Sequence, residues 1–368
     1  MRKGHSPSST NDEQGGNPPR TSGKRGAIVA KDVARIAGVS TATVSRAINY
    51  PELVSEDVRA RIESVMKSLK WRPHGAARAL ASKRSGAIGA IFPTFTYGDF
   101  PLAIQALQHE LAANNYTLLL AFSEYDLEQE YLQAKKLLER GVDALVLVGK
   151  THHQDVSELL EHYGVPFLNA FVFDPADPLT CVGPDNHKAL YRLTSYLADL
   201  GHTRFGIIGQ SMKNNDRLQA RIQGVRDALA ERAIAVHPRH QVEGRWGIAE
   251  GKQLARQVLS QAPVPTALIC ANGYLAVGAM LECQRLGIKV PEDISIVGYS
   301  DFEIMAELPT AITTVRVSGE DVGRRCARIL ISRLAGVPED IPHECSAELL
   351  IRASSAPPRT REIPAISL

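Results

Sequence analysis

Aromatic residues, paired cysteines and long apolar runs are all scarce in this chain of 368 residues. Aromatic side chains make up 6% of it, with two tryptophans. No apolar run approaches the roughly 18–20 residues of a membrane helix, so we expect no membrane span. The five cysteines are scattered without CxxC spacing, which favours reduced thiols in the core of a cytoplasmic protein over a zinc or disulfide role. We therefore expect neither a metal nor another cofactor.

Charge divides the chain into two unequal parts. Residues 1–27 are polar and rich in Gly, Pro and Ser, lack the apolar centre of a signal peptide, and are predicted to form a disordered tail. Residues 1–86 contain 16 Lys and Arg against 7 Asp and Glu, whereas the remainder contains 26 against 33. A basic first part joined to an acidic second part indicates that the first part meets a polyanion.

Residues 28–72 carry the pattern of a helix-turn-helix domain. Within the stretch AKDVARIAGVSTATVSRAINY, apolar residues repeat at helical spacing on both sides of Gly38. Gly38 is suited to end the first helix in a left-handed conformation, and Ser40 to cap the second. Ser55 is predicted to cap a third helix, whose apolar stripe consists of Val58, Ile62, Val65, Met66 and Leu69.

The outward face of the second predicted helix suits a DNA major groove. It offers short donors and methyl groups around one long arginine: Thr41, Ala42, Ser45, Arg46 and Asn49. Arg46 can form two hydrogen bonds to guanine, and Ala or Thr can contact a thymine methyl. The alternative is an ordinary helical hairpin with a solvated polar face.

A linker and a larger α/β domain follow. Pro73 disfavours helix at the residue before it, and GAARALAS within residues 73–86 can form a helix that is too short to be stable alone in water. From residue 87, short apolar runs alternate with amphipathic stretches, which predicts parallel sheets covered by helices on both faces. Ligands of such folds bind beyond the carboxyl ends of the strands.

DVARIAGVSTATVSRAIN resembles the opening motif of the LacI/GalR family of bacterial transcriptional regulators. Further stretches resemble that family in the correct order: PDNHKAL at 184–190, LADLGHTRFGIIG at 197–209, RIQGVRDAL at 221–229, ANGYLAVGAM at 271–280, VPEDISIVGYSD at 290–301 and ITTVR at 312–316. The resemblance implies a two-lobed, periplasmic-binding-protein-like effector and dimerisation domain at residues 87–355, with three chain crossings and a C-terminal tail at 356–368. It implies a first lobe of about 87–184 and 314–343, and a second of about 185–313 and 344–355.

The same resemblance implies specific DNA contacts. Thr41, Ala42 and Arg46 would read bases, while phosphate contacts would come from Ser40, Thr43, Ser45, Asn49 and Ser55. Residues 73–86 would form a hinge helix that orders on DNA, with Leu80 inserted into the minor groove. The alternative for these residues is a plain connecting linker. A homodimer would place two recognition helices on a pseudo-palindromic double-stranded operator.

Effector contacts follow from the resemblance in the same way. Seven residues are implied to line the pocket: Tyr97, Phe100, Phe171, Arg221, Trp246, Asn272 and Ser300. Arg221 would meet hydroxyls or carboxylates, with a surface ion pair as the alternative. Trp246 would stack on the effector, with a place in the core as the alternative.

The expected effector is a sugar or a sugar acid. Ser300 and Phe171 stand where acidic residues are common in the family, so the pocket is predicted to keep its arginine and to lose carboxylates. A pocket of that kind favours an anion over a neutral sugar. LECQRLGIKVPEDI and KTHHQDVSELLEHYGVP also resemble gluconate-type members.

Two other classes of protein share parts of this pattern. A transport binding protein would need a signal peptide and no DNA-binding domain. An enzyme would need a catalytic or metal-binding set, but GIIG at 206–209 is not GxGxxG, and His152, His153, His237 and His240 are interpreted as exposed loop residues. We therefore expect a sensor with no catalytic residues. The absence of a heptad after ELLIRASS favours a dimer over a tetramer.

Overall fold

The computed structural model describes residues 28–72, 84–96, 98–177, 179–338, 340–359 and 364–366. The chain divides into two compact units, residues 1–78 and 79–368. The predicted N-terminal tail lies outside the described residues, as do positions 73–83 of the predicted hinge and part of the predicted C-terminal tail.

Short helices make up the described part of the first unit: α1 (Ala30–Ala37), α2 (Thr41–Asn49) and α3 (Glu56–Ser68), with a 3-10 turn at Pro51–Leu53. Gly38 ends α1 at a left-handed φ of 69°, a conformation that glycine adopts without steric cost. Ser40 Oγ accepts a hydrogen bond from the Thr43 N–H at 3.1 Å and so caps α2. Both features confirm the predicted turn.

A small apolar core joins the three helices. Val33, Ala34, Ala37, Val44 and Ile62 are buried, and the predicted stripe of α3 packs against them. Because most of these side chains are small, the helices approach closely enough to exclude water from so short a domain.

The predicted cap of α3 is wrong in one respect. Ser55 precedes α3, but its hydroxyl makes no capping hydrogen bond. The first turn instead contains Glu56 and Asp57, whose negative charges are favourable beside the partial positive charge at a helix N-terminus.

The second unit contains two sheets. The first sheet is parallel, with the order β2-β1-β3-β4-β5, and its strands are β1 (Ala87–Phe92), β2 (Thr117–Phe122), β3 (Ala144–Val148), β4 (Phe167–Ala170) and β5 (Cys181–Val182). Its covering helices are α4 (Phe100–Ala113), α5 (Leu127–Glu139), α6 (Val156–Tyr163) and, from later in the chain, α12 (Gly319–Ala335).

The second sheet has the order β11-β10-β9-β8-β6-β7. Its strands are β6 (Phe205–Gln210), β7 (Gln241–Gly244), β8 (Ala267–Cys270), β9 (Ser295–Tyr299), β10 (Thr313–Val317) and β11 (Ala347–Leu350). Strand β11 runs antiparallel to β10, an exception to the predicted parallel order. The helices of this lobe are α7 (Asn186–Asp199), α8 (Asp216–Ala230), α9 (Ile248–Leu259), α10 (Gly273–Arg285) and α11 (Glu303–Glu307).

Both faces of each sheet are buried. In β1, Ile88, Ala90 and Phe92 belong to one apolar cluster and Ile91 belongs to the cluster on the opposite face, as the alternation of side chains along a strand requires. All five cysteines are buried and unpaired, which confirms that they fill the core. Burial raises the pKa of the Cys283 thiol to about 12.

The chain crosses between the lobes after β5, after β10 and before β11. The predicted boundary at residue 314 is wrong, because β10 (Thr313–Val317) pairs with β9 inside the second sheet. The second crossing therefore follows Val317. These crossings bring the carboxyl ends of the parallel strands of both sheets towards one another, where the candidate ligand site lies.

Candidate functional site

The exposed face of α2 is the candidate DNA-binding surface of the first unit. Thr41, Ala42 and Arg46 are exposed, whereas Ser45 is half-buried. Arg46 makes no ion pair or side-chain hydrogen bond with any residue in the described ranges, so its guanidinium is available to a ligand. Asn49 ends α2, but its side chain lies outside the described part of the chain.

The hydroxyls at the start of α2 are already ordered. Ser40 is exposed, and its Oγ lies 2.9 Å from Thr43 Oγ1. Ser55 is also exposed. Ser40 and Ser55 are therefore accessible from solvent beside a helix N-terminus, whereas Thr43 is half-buried. Leu80 lies outside the described residues.

A cavity between the two lobes is the candidate effector site of the second unit. Six of the residues predicted for a pocket line it: Phe100, Phe171, Arg221, Trp246, Asn272 and Ser300. Tyr97 lies outside the described residues. The cavity is also lined by residues that the sequence did not single out, including Asp99, Tyr125, Gln210, Asn215, Arg217 and Tyr299.

Arg221 on α8 is held in place from three directions. Its Nε donates to Asn186 Oδ1 at 2.8 Å, and its Nη1 donates to the Ala271 carbonyl at 3.2 Å. The guanidinium carbon lies 3.5 Å from the centre of the Tyr299 ring. Burial lowers the pKa of Arg221, but an arginine remains charged at neutral pH. The surface ion pair considered as an alternative is therefore wrong, and Arg221 presents a fixed positive charge to the cavity.

Asn186 connects this arginine to the first lobe. Its Oδ1 accepts from both Arg221 Nε and Tyr299 Oη, the latter at 2.9 Å, and its Nδ2 donates to the Phe171 carbonyl at 3.0 Å. Asn186 lay within the motif PDNHKAL, but it was missed as a site residue because its partners are far away in sequence. Asn186 therefore joins Arg221 to the backbone of the first lobe through hydrogen bonds.

Aromatic rings form an apolar wall on the first-lobe side. The rings of Phe100 and Phe171 meet edge to face with their centres 4.9 Å apart, and Phe92 packs beneath them. Phe171 holds a positive φ of 65°, a conformation that is rare for an aromatic residue and is one of the kinds of backbone strain that cluster at functional sites.

Asp99 places a carboxylate in the cavity. Its Oδ2 accepts a hydrogen bond from Ser300 Oγ at 2.7 Å across the lobes. Burial raises the pKa of Asp99 to about 6, opposed by the hydrogen bond from Ser300 and the positive charge of Arg221. The premise that the pocket lacks carboxylates is therefore wrong, because the acid comes from the other lobe.

A second contact between the lobes lies beside the cavity. Arg217 Nη1 donates to the Val148 carbonyl at 2.9 Å, and Asp216 Oδ2 accepts from the Lys150 N–H at 2.9 Å. Gly149 lies between them, and a Cβ at that position would fall 1.8 Å from the Arg217 guanidinium. The two lobes are thus closed on each other here.

Asn272 both lines the cavity and caps a helix. Its Oδ1 accepts from the Tyr274 N–H at 2.8 Å and caps α10. The amide group of Asn272 keeps donor capacity beyond this bond.

The histidine pairs are not all exposed. His152 bridges Glu130 and Asn169, at 2.8 Å and 3.1 Å, and His240 is buried with Nε2 3.2 Å from the Gln261 carbonyl. The interpretation of these two as exposed loop residues is wrong, because each satisfies buried polar groups. Within the described ranges, no group of three or more His, Cys, Asp and Glu residues could hold a metal ion.

In the part of the chain that the structure describes, no helix has both the length and the apolar character needed to cross a membrane.

The chain matches two protein-family models. Residues 29–74 match the lacI family of bacterial regulatory proteins, and residues 194–355 match a periplasmic binding protein-like domain. The first match covers α1 to α3, and the second covers most of the second lobe and α12.

Two curated relatives cover most of the chain. The HTH-type transcriptional repressor PurR of Proteus mirabilis is 31% identical over 312 residues, which are 84% of this chain and 91% of the relative. The ribose operon repressor of Escherichia coli is 30% identical over 308 residues, 83% of this chain and 92% of the relative.

Solved structures share the fold. The Lac repressor dimer bound to operator and the anti-inducer ONPF matches with a TM-score of 0.76 at 24% identity, covering 89% of this chain and 99% of that one. A LacI family regulator from Silicibacter pomeroyi matches with a TM-score of 0.66 at 26% identity, covering 73% and 98%. With relatives that are 30% and 31% identical over more than four fifths of its length, the chain belongs to the LacI family of bacterial regulatory proteins.

Proposed function

We propose that the protein is a transcriptional repressor that binds a pseudo-palindromic operator as a homodimer. A small metabolite would raise or lower its affinity for that operator. The observation that carries the proposal is Arg46 on α2, which is exposed and has no partner among the described residues, in the same chain as a polar cavity between two lobes. The relatives named as repressors support the regulatory role over an enzymatic one, and a cytoplasmic location follows from a role on operator DNA.

The proposed effector is a sugar or a sugar acid such as gluconate. Arg221 offers a fixed cation to a carboxylate or carbonyl oxygen, and Asp99 offers an acceptor to a hydroxyl. A polyhydroxy acid satisfies both groups at once, because it carries an anionic end and several hydroxyl donors. Asp99 also suits a neutral sugar, and titration with D-gluconate and with a neutral hexose distinguishes the two classes.

The proposed coupling runs through the closure of the lobes. The contacts from Ser300 to Asp99, from Asn186 to Phe171 and from Arg217 to Val148 all join one lobe to the other around the cavity. An effector that changes these contacts changes the angle between the lobes. We infer that this angle alters the spacing of the hinge segments, including Leu80, and with it the affinity for operator. Coupling of this kind is reciprocal, so effector and operator change each other's affinity by the same factor.

The function is tested by mapping the genomic sites that the tagged, full-length protein occupies. We expect a short pseudo-palindromic sequence, and we expect added D-gluconate to change binding to it in an electrophoretic or fluorescence assay. Binding with no preference for any sequence, at every salt concentration tried, would contradict the proposal. Binding of a neutral hexose with gluconate and its keto forms inert would exclude the sugar acid.

Arg221→Lys is expected to weaken D-gluconate binding by roughly 10-fold or more, because lysine cannot reproduce the planar guanidinium fork. Isothermal titration measures this directly. Arg226→Lys is the matched control, since Arg226 lies on the same helix and is exposed. Equal losses in the two variants would show that Arg221 does not contact the effector.

A further inference from the structure

Asp99 uses only a small part of its capacity to accept hydrogen bonds. Ser300 Oγ donates to its Oδ2 at 2.7 Å, and no other described residue donates to this side chain. An ionised carboxylate has about four acceptor sites. A carboxylate that lines a cavity needs partners for these sites, and a ligand or water must supply them.

The backbone of Asp99 is positioned by packing, and its side chain makes no local capping hydrogen bond. Asp99 precedes α4, but its side chain makes no capping bond to that helix. Its carbonyl accepts from the Ala103 N–H at 3.1 Å. Gly319, at the N-terminus of α12, packs closely against the same carbonyl. A Cβ at position 319 would lie 2.1 Å from the Asp99 carbonyl oxygen. The backbone is therefore fixed, while the carboxylate faces the ligand space.

The opposite wall is fixed as well. Ser300 holds a positive φ of 75°, its N–H donates to the Val315 carbonyl, and its carbonyl accepts from Thr314 Oγ1 at 2.6 Å. The hydroxyl of Ser300 is thereby directed at Asp99. One side of the Asp99 carboxylate is bound to the second lobe, and the other side remains open to the cavity.

The charged groups around Asp99 do not neutralise it fully. Arg221 faces it from α8, but this arginine is already bonded to Asn186 and Ala271. Asp301 follows β9 and is paired with Arg352 through two hydrogen bonds of 2.6 Å and 2.9 Å. Burial therefore dominates and raises the pKa of Asp99 to about 6. At neutral pH the carboxylate is mostly ionised, at a cost to the stability of the unliganded protein.

We propose that Asp99 is the residue that accepts a hydroxyl group of the effector, opposite Arg221, and that the fold tolerates an under-bonded carboxylate for this purpose. The inference rests on the proposed function, because it names the second anchor of the same cavity. It restricts the effector to molecules that carry a hydroxyl donor on one side and an acceptor or anion on the other.

The first test uses the full-length protein without any ligand. Asp99→Asn keeps the shape and can still accept from Ser300, but it removes the half-buried charge. We expect this variant to melt roughly 3–6 °C higher than the wild type at pH 7.5. The difference should shrink as the pH falls through about 6 and vanish only below about pH 4, where Asp99 is protonated in both the folded and the unfolded protein. Stabilising a protein by removing a polar group from a ligand site is typical of a residue kept for function.

Asp126→Asn is the matched control. Asp126 also precedes a helix, but its Oδ1 accepts from the backbone N–H groups of Glu128 and Gln129 and caps α5. No rise in melting temperature is expected from it. A lower melting temperature for Asp99→Asn at every pH would show that Asp99 is a structural residue and would overturn the inference.

The second test titrates D-gluconate and D-ribose into the wild type and Asp99→Asn. For the sugar that binds, we expect roughly 10-fold or greater weakening in the variant, and in the wild type a loss of affinity as the pH falls below about 6. Unchanged affinity in the variant would overturn the inference. If neither sugar binds the wild type, the proposed sugar effector fails, whereas the melting experiment still decides the role of Asp99.

Discussion

Arg46→Ala is expected to weaken specific operator binding by roughly 1–3 kcal/mol, a loss of roughly 5- to 150-fold in affinity. Arg46 is exposed on α2 and unpaired within the described residues, so its removal costs the free protein little. The loss therefore reports contacts made only in the complex. It should be largest for the preferred operator and small for unrelated DNA, because a base-reading arginine carries sequence information.

Fluorescence anisotropy with the mapped operator and with a scrambled duplex measures both affinities. Arg59→Ala is the charge-matched control, since Arg59 on α3 carries the same charge and pairs with Glu63 at 4.0 Å. Any loss in the control should be similar for both duplexes, as expected for a phosphate contact. If Arg46→Ala weakened the two duplexes equally, the role of Arg46 in reading bases would be refuted.

Glu282→Gln is expected to lower the free energy of unfolding of the second unit by about 2–3 kcal/mol. The Glu282 carboxylate is fully buried on α10 and accepts hydrogen bonds from Arg285 at 2.8 Å and from Arg256 at 2.9 Å. The bond from Arg285, helped by Arg256, lowers the pKa of Glu282 from 4.5 to about 2. The full shift corresponds to about 3 kcal/mol, which solvent reduces because both guanidinium groups are about half exposed.

The sign of the pH dependence is opposite to that of Asp99. Because the folded pKa of Glu282 is lowered, its contribution is present above about pH 4.5 and is lost as the pH falls towards 2. Urea unfolding of the wild type and the variant at pH 7 and pH 3 measures this. Glu348→Gln is the control, since its ion pair with Arg316 is exposed and is expected to contribute at most about 0.5 kcal/mol. A loss that did not shrink at low pH would contradict the electrostatic origin.

The DNA-binding unit could be predicted closely because its signals are local. Gly38 ends one helix through its own backbone freedom, and Ser40 caps the next through a bond to Thr43 three residues away. The capping bond of Ser55 was predicted wrongly for a related reason. A serine at that position is suited to cap, but whether its hydroxyl turns towards the helix N-terminus is not determined by the residue type.

The effector cavity could be predicted only through the resemblance to the family. Arg221 and Asn272 stood inside family motifs, whereas Asp99 carried no signal beyond that of an aspartate before a helix. Its partner Ser300 is 201 residues away, so no pattern in sequence could join them. Asn186 is similar, since its bonds to Arg221 and Tyr299 arise only when two helices and a strand meet.

By itself, the sequence determined the two-part design of the protein: a helix-turn-helix with a defined reading face, followed by alternating strands and helices. Those features depend on hydrogen bonds and packing between residues a few positions apart. Only the tertiary structure decided that β10 belongs to the second lobe, and that the carboxylate facing Arg221 comes from Asp99 across the cleft. These outcomes depend on which strand ends meet when the two sheets pack, and that choice is made by long-range burial of apolar surface.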